Sequence, residues 1–417
     1  MTPAQPGGAV AVAPVSFAAL RHPGFRMYFL GTATAMLADN IEHVISYWAI
    51  YQKFHSPLLG GVAVISHWAP FLLFSIYSGA LADRFDPRRI IQIGMLLFMG
   101  VSIAWGVLFL TGWLRESHAW LLLIVHGFAG VLWMPASQLL LHDIVGPEEL
   151  SSAVRLGATA RYLGMLTGPG VGAVLLLALG PARGILVNSL IYLPMLLWLW
   201  KAPYGPRFRR RDAVRTREVR GFADLVAAVR SIRNNSTVLC MILLAALAAL
   251  FIGNAYQAQM PGFAVDLGHG DPGLSYSMLL AADAAGALTA GFVLESRGLL
   301  HPAARTALIL AMLWCISLGV FALVRLYPLA LALLFAAGFL ELSFNSMAQA
   351  LVQLNAPAAV RGRVIGAYSM AASGMRMFSG LTVGIAGGLI GIHRSLALSA
   401  AALFIAVATL FSFTSRR

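Results

Sequence analysis

The chain has 417 residues, of which 59% are apolar and only 11% are Asp, Glu, Lys or Arg, and its net charge is +13. A soluble globular protein carries about 25% of these charged types, so this composition and a mean hydropathy of +0.80 exclude a soluble enzyme. The apolar runs have the length of spanning helices, about 20 residues, and lack the alternation of barrel strands. We therefore expect an all-α membrane protein.

Twelve apolar runs predict twelve transmembrane helices. Six precede a basic stretch, at 28–50, 57–81, 90–112, 118–141, 156–179 and 184–200. Six follow it, at 237–259, 273–294, 303–324, 327–352, 364–390 and 395–413. These spans divide the chain into an N-terminal segment (1–27), an N-terminal six-helix half (28–200), a basic linker (201–236), a C-terminal six-helix half (237–413) and a tail (414–417).

The basic residues predict the orientation of the chain. Ten of the 29 Lys and Arg lie between Lys201 and Arg233, and such loops face the cytoplasm and contact anionic lipid headgroups. If both termini are cytoplasmic, 22 of the 29 fall on the cytoplasmic side and five fall outside. We therefore expect cytoplasmic termini and a lipid surface, not nucleic acid, as the partner of the linker.

The sequence repeats at half its length. Residues 79–84 (GALADR) are echoed 212 positions later by residues 291–297 (GFVLESR), and the segment after Pro147 is echoed by the segment after Pro357. Two parallel six-helix halves around a central cavity are typical of secondary transporters, which bind substrate between the halves near mid-membrane. The repeat therefore favours a transporter.

The loop between spans two and three carries a motif. Residues 79–89 read GALADRFDPRR and resemble the signature loop of the major facilitator superfamily, G-x-L-a-D-r-x-g-r-r. The resemblance implies the twelve-helix fold of that superfamily and a cytoplasmic gate. Charge-assisted hydrogen bonds in such a gate lock one half against the other, and breaking them opens the cytoplasmic side. The gate residues expected from the motif are Gly79, Asp83, Arg84, Arg88 and Arg89.

Span five carries a second motif. Gly164, Gly168, Pro169 and Gly172 have the spacing of the superfamily's antiporter motif, G-x3-G-P-x2-G-G, with Ala173 at its final position. The resemblance implies export in exchange for protons. Glycines let helices pack closely, and a proline beside a glycine permits a bend. Gly168 and Pro169 are therefore further gating candidates.

Several predicted spans contain polar or ionisable side chains. A charge near the bilayer centre costs at least about 2.5–3.5 kcal/mol, so each such residue needs a reason. In the superfamily's fold, helices one, four, seven and ten line the cavity. Their polar residues are the predicted substrate- and proton-binding residues: Asp39, Asn40, Glu42, His43, His126, Asn254, Gln257, Glu341 and Asn345. Charge pairing inside the membrane is expected for Arg161, Asp283 and Arg376, and an interhelical hydrogen bond for His67.

Two chemistries fit these acids and histidines. Buried carboxylates can carry a proton through a transport cycle, and aromatic residues such as Tyr47 and Trp133 can hold an organic cation or a flat aromatic body. This combination favours proton-coupled export of a small organic amphiphile, siderophore- or drug-like, by alternating access. The alternative is export of a divalent metal by Asp39 and His43, a pair that resembles the first helix of ferroportin-type iron exporters. A non-transporting receptor or scaffold is less favoured, because no large extramembrane domain is predicted.

The remaining expectations concern partners and location. The sequence shows no Walker motif and no catalytic constellation, so we expect neither an enzyme nor a cofactor. The expected partners are a small-molecule substrate, protons and the lipid bilayer, and the protein is expected to act as a monomer. The layout is similar to the enterobactin-exporter-like branch of the superfamily at residues 21–26 (RHPGFR) and 361–366 (RGRVIG), which implies a bacterial inner membrane.

Overall fold

The structure is a computed structural model that describes residues 16–54, 57–205, 226, 229–230, 232–253, 255–267, 274–297, 302–379, 382–383 and 386–415. Every regular element in these ranges is a helix. The helices that pack most closely are not consecutive in the chain: Pro23–Phe54 lies against Leu150–Ile191, and Pro57–Arg84 lies against Glu116–Val145.

Six α-helices of the described chain precede the linker. Large apolar side chains such as Leu73, Leu177 and Trp200 are exposed on them, as expected for helices whose surroundings are lipid rather than water. A 3₁₀ turn at Ala18–Arg21 leads into the first helix. The helices are α1 (Pro23–Phe54), α2 (Pro57–Arg84), α3 (Pro87–Thr111), α4 (Glu116–Val145), α5 (Leu150–Ile191) and α6 (Leu193–Lys201).

A break inside α5 separates two predicted spans. Gly180 has φ 74° and ψ 170°, a positive-φ conformation that glycine adopts at little cost. Pro181 follows, and its fixed φ suits the first turn of a helix. The predicted spans 156–179 and 184–200 therefore lie on either side of Gly180.

The described chain after the linker contains longer helices and several short ones. A 3₁₀ turn at Ala358–Val360 and a π-turn at Met370–Gly374 join some of them. The α-helices are α7 (Ser236–Phe251), α8 (Ala255–Ala258), α9 (Met260–Asp266), α10 (Leu274–Ser296), α11 (Ala304–Leu323), α12 (Tyr327–Asn355), α13 (Arg361–Ser369), α14 (Arg376–Ser379), α15 (Ala386–Ile390) and α16 (Ile392–Ser415).

Two predicted spans are interrupted in the structure. In the seventh, α7 ends at Phe251, Gly253 has φ 48°, and helical structure resumes in α8 and α9. A side chain at Gly253 would lie 2.6 Å from the Ser379 hydroxyl, so the backbone here passes close to α14. The eleventh predicted span contains the π-turn and the short helices α13 to α15. Irregular backbone at membrane depth is tolerated where protein surrounds it.

Nine helices in the described ranges are long and apolar enough to cross a membrane, and one of the nine combines α5 and α6. α1 falls outside this set because Asp39, Asn40, Glu42 and His43 interrupt its apolar run. The helices α13 to α15 fall outside it because each is short. Each of the twelve predicted ranges overlaps helical segments of the structure.

Glycines in α5 set how closely it packs on α1. A Cβ atom at Gly164 would lie 2.6 Å from the Met36 Cβ of α1. A Cβ atom at Gly168 or Gly172 would likewise lie against residues of α1. These glycines are therefore close-packing contacts. Pro169 lies within α5 at a point where the helix continues unbroken.

The N- and C-terminal halves, α1–α6 and α7–α16, meet at two glycine crossings. Gly79 of α2 packs against the Gly362 carbonyl of α13, and Gly291 of α10 packs against Thr159 of α5. Gly79 and Gly291 are the first residues of the repeated motif. The repeat therefore places equivalent glycines at two equivalent contacts between the halves.

Candidate functional site

A cavity of about 420 Å³ lies between the two halves. Its wall combines aromatic and methionine side chains with polar groups from both halves. Pockets of this size, mostly apolar with a few convergent polar groups, hold small organic molecules. The predicted residues that line it are Asp39, Asn40, His43, Arg161, Gln257, Glu341, Asn345 and Arg376.

The first polar network surrounds His126. Its Nδ1 lies 2.8 Å from Oε1 of Glu42, and its Nε2 lies 2.9 Å from Oδ1 of Asp39. The other Asp39 carboxylate oxygen is 3.7 Å from Nδ1 of His43. One imidazole therefore lies between two carboxylates, an arrangement that can hold a proton and pass it on.

This network runs from the cavity into the interior of the N-terminal half. Asp39 reaches the cavity wall, whereas Glu42 and His126 lie behind it and are 2% and 4% exposed. Ser102 donates its hydroxyl to Glu42, and Nδ2 of Asn188 lies 3.5 Å from the Ser102 oxygen. Both oxygens of Glu42 thus have a protein partner, whereas Nε2 of His126 and Oδ1 of Asn188 are buried without a hydrogen bond among the described residues.

Three histidines of α1, α2 and α4 cluster at the same wall. The ring centroids of His43 and His67 are 5.1 Å apart, and those of His43 and His126 are 4.9 Å apart. Nδ1 of His67 is buried and has no hydrogen-bond partner among the described residues. The interhelical hydrogen bond expected for His67 is therefore not formed at this nitrogen.

The second polar network lies in the C-terminal half. Oδ2 of Asp283 accepts hydrogen bonds from the Tyr256 hydroxyl at 3.1 Å and from Nε2 of Gln257 at 3.0 Å. The same hydroxyl lies 3.3 Å from Oε2 of Glu341. A hydroxyl has one proton, so Tyr256 donates to one of the two acids at a time. Gln257 and Glu341 reach the cavity, and Asp283 lies behind them.

Two arginines face the cavity from opposite halves. The Arg376 guanidinium lies over the Trp68 ring, 5.4 Å from its centroid, and its Nε donates to the Ala372 carbonyl at 3.0 Å. Within the described ranges, neither Arg161 nor Arg376 lies at ion-pair distance from an acidic oxygen, and Asp283 is held by neutral groups. The predicted pairing of these charges is absent from this conformation, so the cavity offers positive as well as negative charge.

A hydrogen-bonded contact closes one end of the cavity at Asp83. Its two carboxylate oxygens accept from the backbone N–H groups of Gly362, at 2.6 Å, and Arg363, at 3.1 Å. These N–H groups belong to the first turn of α13, where a carboxylate is stabilised by unpaired donors and by the helix dipole. Asp83 of α2 thus joins the two halves.

A second contact joins the halves at the equivalent position of the repeat. Glu295, the echo of Asp83, is 1% exposed and lies 2.8 Å from Nη2 of Arg155. It also accepts a hydrogen bond from the Ser152 hydroxyl. Sequence reasoning did not identify Glu295 as a gate residue, although the repeat was the signal that could have found it.

The three arginines of the motif lie at this same end. Nη2 of Arg88 lies 2.6 Å from Oδ2 of Asp86, and Asp86 caps the N-terminus of α3. Arg89 bonds within α3, and the Arg84 guanidinium lies 5.2 Å from the Phe85 ring centroid. These contacts stay within the N-terminal half.

Part of the cavity wall was not predicted. Helices other than one, four, seven and ten also contribute to the wall. The added residues include His67, Trp68, Tyr162 and Tyr368. Asn254, a predicted site residue, lies outside the described residues.

Comparison with known sequences identifies relatives. A sequence profile of the transmembrane secretion effector family matches residues 14–417. The enterobactin exporter EntS of Citrobacter koseri is 26% identical over 359 residues, which cover 84% of this chain and 81% of the exporter.

Comparison with solved structures identifies the fold. The human organic anion transporter MFSD10 (TETRAN) superposes with a TM-score of 0.71 at 16% identity, over 93% of this chain and 99% of that one. The major facilitator superfamily transporter FucP, in its outward conformation, superposes with a TM-score of 0.73 at 12% identity, over 93% and 98% of the two chains. The predicted all-helical major facilitator fold is confirmed.

Proposed function

Because the chain belongs to the transmembrane secretion effector family of the major facilitator superfamily, we propose that it is a proton-coupled exporter of a small organic amphiphile. The family comprises secondary transporters rather than enzymes, and its members are multi-pass membrane proteins. The observation that carries the proposal is the cavity of about 420 Å³, whose wall combines aromatic rings with titratable groups of both halves.

The lining of the cavity supports an amphiphilic substrate. Tyr47, Trp68 and Trp133 offer flat surfaces, and aromatic faces bind apolar rings and cations. Asp39 and Arg376 add charges of opposite sign from opposite halves. A substrate with an apolar body and charged or polar groups, as in siderophore- and drug-like compounds, matches this lining.

The two polar networks supply the groups that carry protons. Asp39 and Glu341 both lie in the cavity wall, and each is linked to a buried acid through one intermediate side chain. Substrate binds when the wall acids are deprotonated. Protonation from the acidic side of the membrane then weakens binding and favours release, because the two protonation states differ in affinity for the substrate.

The closed end of the cavity supports a cytoplasmic entry route for the substrate. That end carries the contacts of Asp83 and Glu295, and the distribution of basic residues favours placing it, with both termini, on the cytoplasmic side. Opening these contacts admits substrate from the cytoplasm. Further support comes from the secretion effector family and from the exporter EntS. We place the protein in a bacterial inner membrane as a monomer with twelve spans, arranged in the halves 28–200 and 237–413.

A ligand screen on the purified protein tests the proposal. Siderophores, lipophilic cations and macrolides are added at two pH values while thermal unfolding is followed in detergent. A ligand at a hundred times its dissociation constant stabilises the bound protein by about 2.7 kcal/mol. We expect an organic ligand that binds the wild type more weakly at the lower pH, and we expect Asp39→Asn to reduce this pH dependence.

The control is Asp266→Asn. Asp266 lies outside the cavity lining, pairs with His393 at 3.1 Å and has a half-exposed side chain, so its variant is expected to keep the wild-type pH dependence. A panel with no organic ligand, or a ligand whose affinity is the same at both pH values, would count against the proposal. Uptake of the ligand by inverted vesicles under a pH gradient then checks the direction.

A further inference from the structure

We propose that His43, His67 and His126 form a binding site for one divalent transition-metal ion of the kind that prefers imidazole, such as Zn²⁺. The three side chains come from α1, α2 and α4; His43 and His67 lie in the N-terminal wall of the cavity, and His126 lies behind it. The proposal does not rest on the substrate class or on the proton coupling, because it concerns only the geometry and chemistry of these side chains.

The three imidazoles are already clustered. One ring nitrogen of each lies within 4.8 Å of the others, and the widest centroid separation, between His67 and His126, is 5.7 Å. In a tetrahedral zinc site with bonds of about 2.0–2.1 Å, ligand atoms lie about 3.3 Å apart. Rotation of the side chains supplies the remaining approach while the helices keep the backbones in place.

Glu42 holds His126 in the orientation that a metal ligand needs. Its Oε1 lies 2.8 Å from Nδ1 of His126, and Ser102 donates a hydrogen bond to the same carboxylate. Metal-binding histidines commonly donate their other ring N–H to a carboxylate, which fixes the tautomer and the ring orientation. Nε2 of His126 is then the nitrogen left for a metal ion.

Two further observations point to a cation at this position. Nδ1 of His67 is buried without a hydrogen-bond partner in the described ranges, whereas buried polar atoms are normally paired. Asp39 lies beside the cluster, with Oδ1 2.9 Å from Nε2 of His126 and Oδ2 3.7 Å from Nδ1 of His43. Asp39 can therefore supply a fourth ligand, and with Glu42 it balances a charge of 2+.

The donor set selects the class of metal. Imidazole with carboxylate suits Zn²⁺, Cu²⁺, Ni²⁺ and Co²⁺, whereas Ca²⁺ and Mg²⁺ prefer oxygen ligands alone. The Arg376 guanidinium lies 5.4 Å from the Trp68 ring centroid, and the Trp68 and His67 ring centroids are 4.6 Å apart, so this positive charge also lies near the cluster. A metal ion takes the nitrogen lone pair that a proton would otherwise hold, so binding is expected to release protons.

Titration of the purified, tag-free protein with Zn²⁺ tests the site. Isothermal titration calorimetry in detergent is expected to show one ion bound per chain. The visible absorption of the Co²⁺ form is expected to be that of a four-coordinate ion. His67→Gln is expected to lower the affinity for Zn²⁺ at least tenfold, because it removes one ligand.

The control is His393→Gln. His393 lies on α16, 3.1 Å from Asp266 and outside the cavity lining, so its variant is expected to bind Zn²⁺ like the wild type. Absence of binding in the wild type, or equal binding in the wild type and His67→Gln, would overturn the proposal.

The folding of His67→Gln is checked separately. His67 forms no ion pair among the described residues, so the metal-free variant is expected to unfold at the wild-type temperature. If it does not fold, the Co²⁺ spectrum of the wild type decides, and a six-coordinate spectrum overturns the site. Both measurements use metal alone, so their failure leaves the organic-ligand screen intact.

Discussion

Glu42 is an acid that sits inside the protein rather than in the cavity wall, and its neighbours explain how it is tolerated. Ser102 donates to one of its oxygens and His126 contacts the other at 2.8 Å. A buried charge persists where such partners replace water. By fixing the His126 ring, Glu42 also sets the position of the nitrogen that faces Asp39.

Replacement of Glu42 is expected to destabilise the fold. Glu42→Ala leaves His126 and Ser102 without their partner, and breaking a buried pair costs about 3–5 kcal/mol of the free energy of unfolding. Thermal unfolding in detergent measures the loss. Glu116→Ala, which removes an exposed acid in the first turn of α4, is expected to change it by less than about 1 kcal/mol. Equal losses in the two variants would contradict this role of Glu42.

Individual residues show what sequence could predict of the site. Asp39 and Glu341 were found because an acid in an apolar run is costly and needs a reason. Which acids reach the cavity and which are buried behind its wall was not predictable. Glu42 and Asp283, for example, lie behind the wall. The physical reason is that a membrane helix is apolar on its lipid face as well as its protein face. Periodicity therefore does not distinguish the side that faces the cavity.

At the scale of elements, the closed end depends on how α2 meets α13. Gly79 lets the helices approach until its backbone touches the Gly362 carbonyl, and Asp83, one turn further on, reaches the N–H groups of Gly362 and Arg363. The close approach of α2 to α13 lets the Asp83 hydrogen bonds form, and these bonds in turn hold the two helices together.

Loss of the Asp83 charge is expected to open this end. Asp83→Asn replaces two charge-assisted hydrogen bonds with weaker ones, a loss of about 1.5–3 kcal/mol. The population open at this end is then expected to rise by roughly ten- to a hundredfold. A cysteine at the cavity residue Ala158 reports the change as faster labelling by a thiol reagent in inside-out vesicles.

Asp86→Asn is the control for this experiment. Asp86 pairs with Arg88 within the N-terminal half at 2.6 Å, so its variant is expected to label at the wild-type rate. The native Cys240 and Cys315 are buried and add little background. Labelling of Asp83→Asn at the wild-type rate would mean that these hydrogen bonds do not hold the closed state.

Breaks in the helices mark the limit of prediction at this scale. The boundary at Gly180 was anticipated because one apolar run ends at 179 and the next begins at 184. The interruption at Gly253 was not, since it lies inside a predicted span whose preceding residues are apolar and helix-compatible. It follows from the close approach of Ser379, a contact from 126 residues away in the chain that no local pattern contains.

On the scale of the whole molecule, the sequence repeat appears as two matched contacts between the halves. Gly79 and Gly291 allow the crossings, and Asp83 and Glu295 reach the start of a helix in the opposite half. The chemistry differs, since Asp83 binds backbone N–H groups and Glu295 binds an arginine. The all-helical fold and this pseudo-symmetry were predictable because they depend on composition and on spacing along the chain.

The segment before α1 forms hydrogen bonds with residues that surround the Glu295 contact. The Ala19 N–H donates to the Ser152 hydroxyl oxygen at 3.1 Å, and Ser152 in turn donates to Glu295. His22 lies 2.6 Å from Glu149 just before α5. The segment from Ala19 to His22 thus packs where the two halves meet and helps to hold Arg155 and Glu295 in a buried environment.

Exchange of the charges at this contact tests whether it joins the halves. Arg155→Glu places two acids together and is expected to raise labelling at Ala158→Cys from the same side about tenfold or more. The double variant Arg155→Glu with Glu295→Arg restores opposite charges and is expected to return much of the wild-type rate. Residues in direct contact typically show interaction energies of about 0.5–3 kcal/mol in such cycles. Effects of the two substitutions that simply add would show that Arg155 and Glu295 act separately, and the closed end would then depend on the Asp83 contact alone.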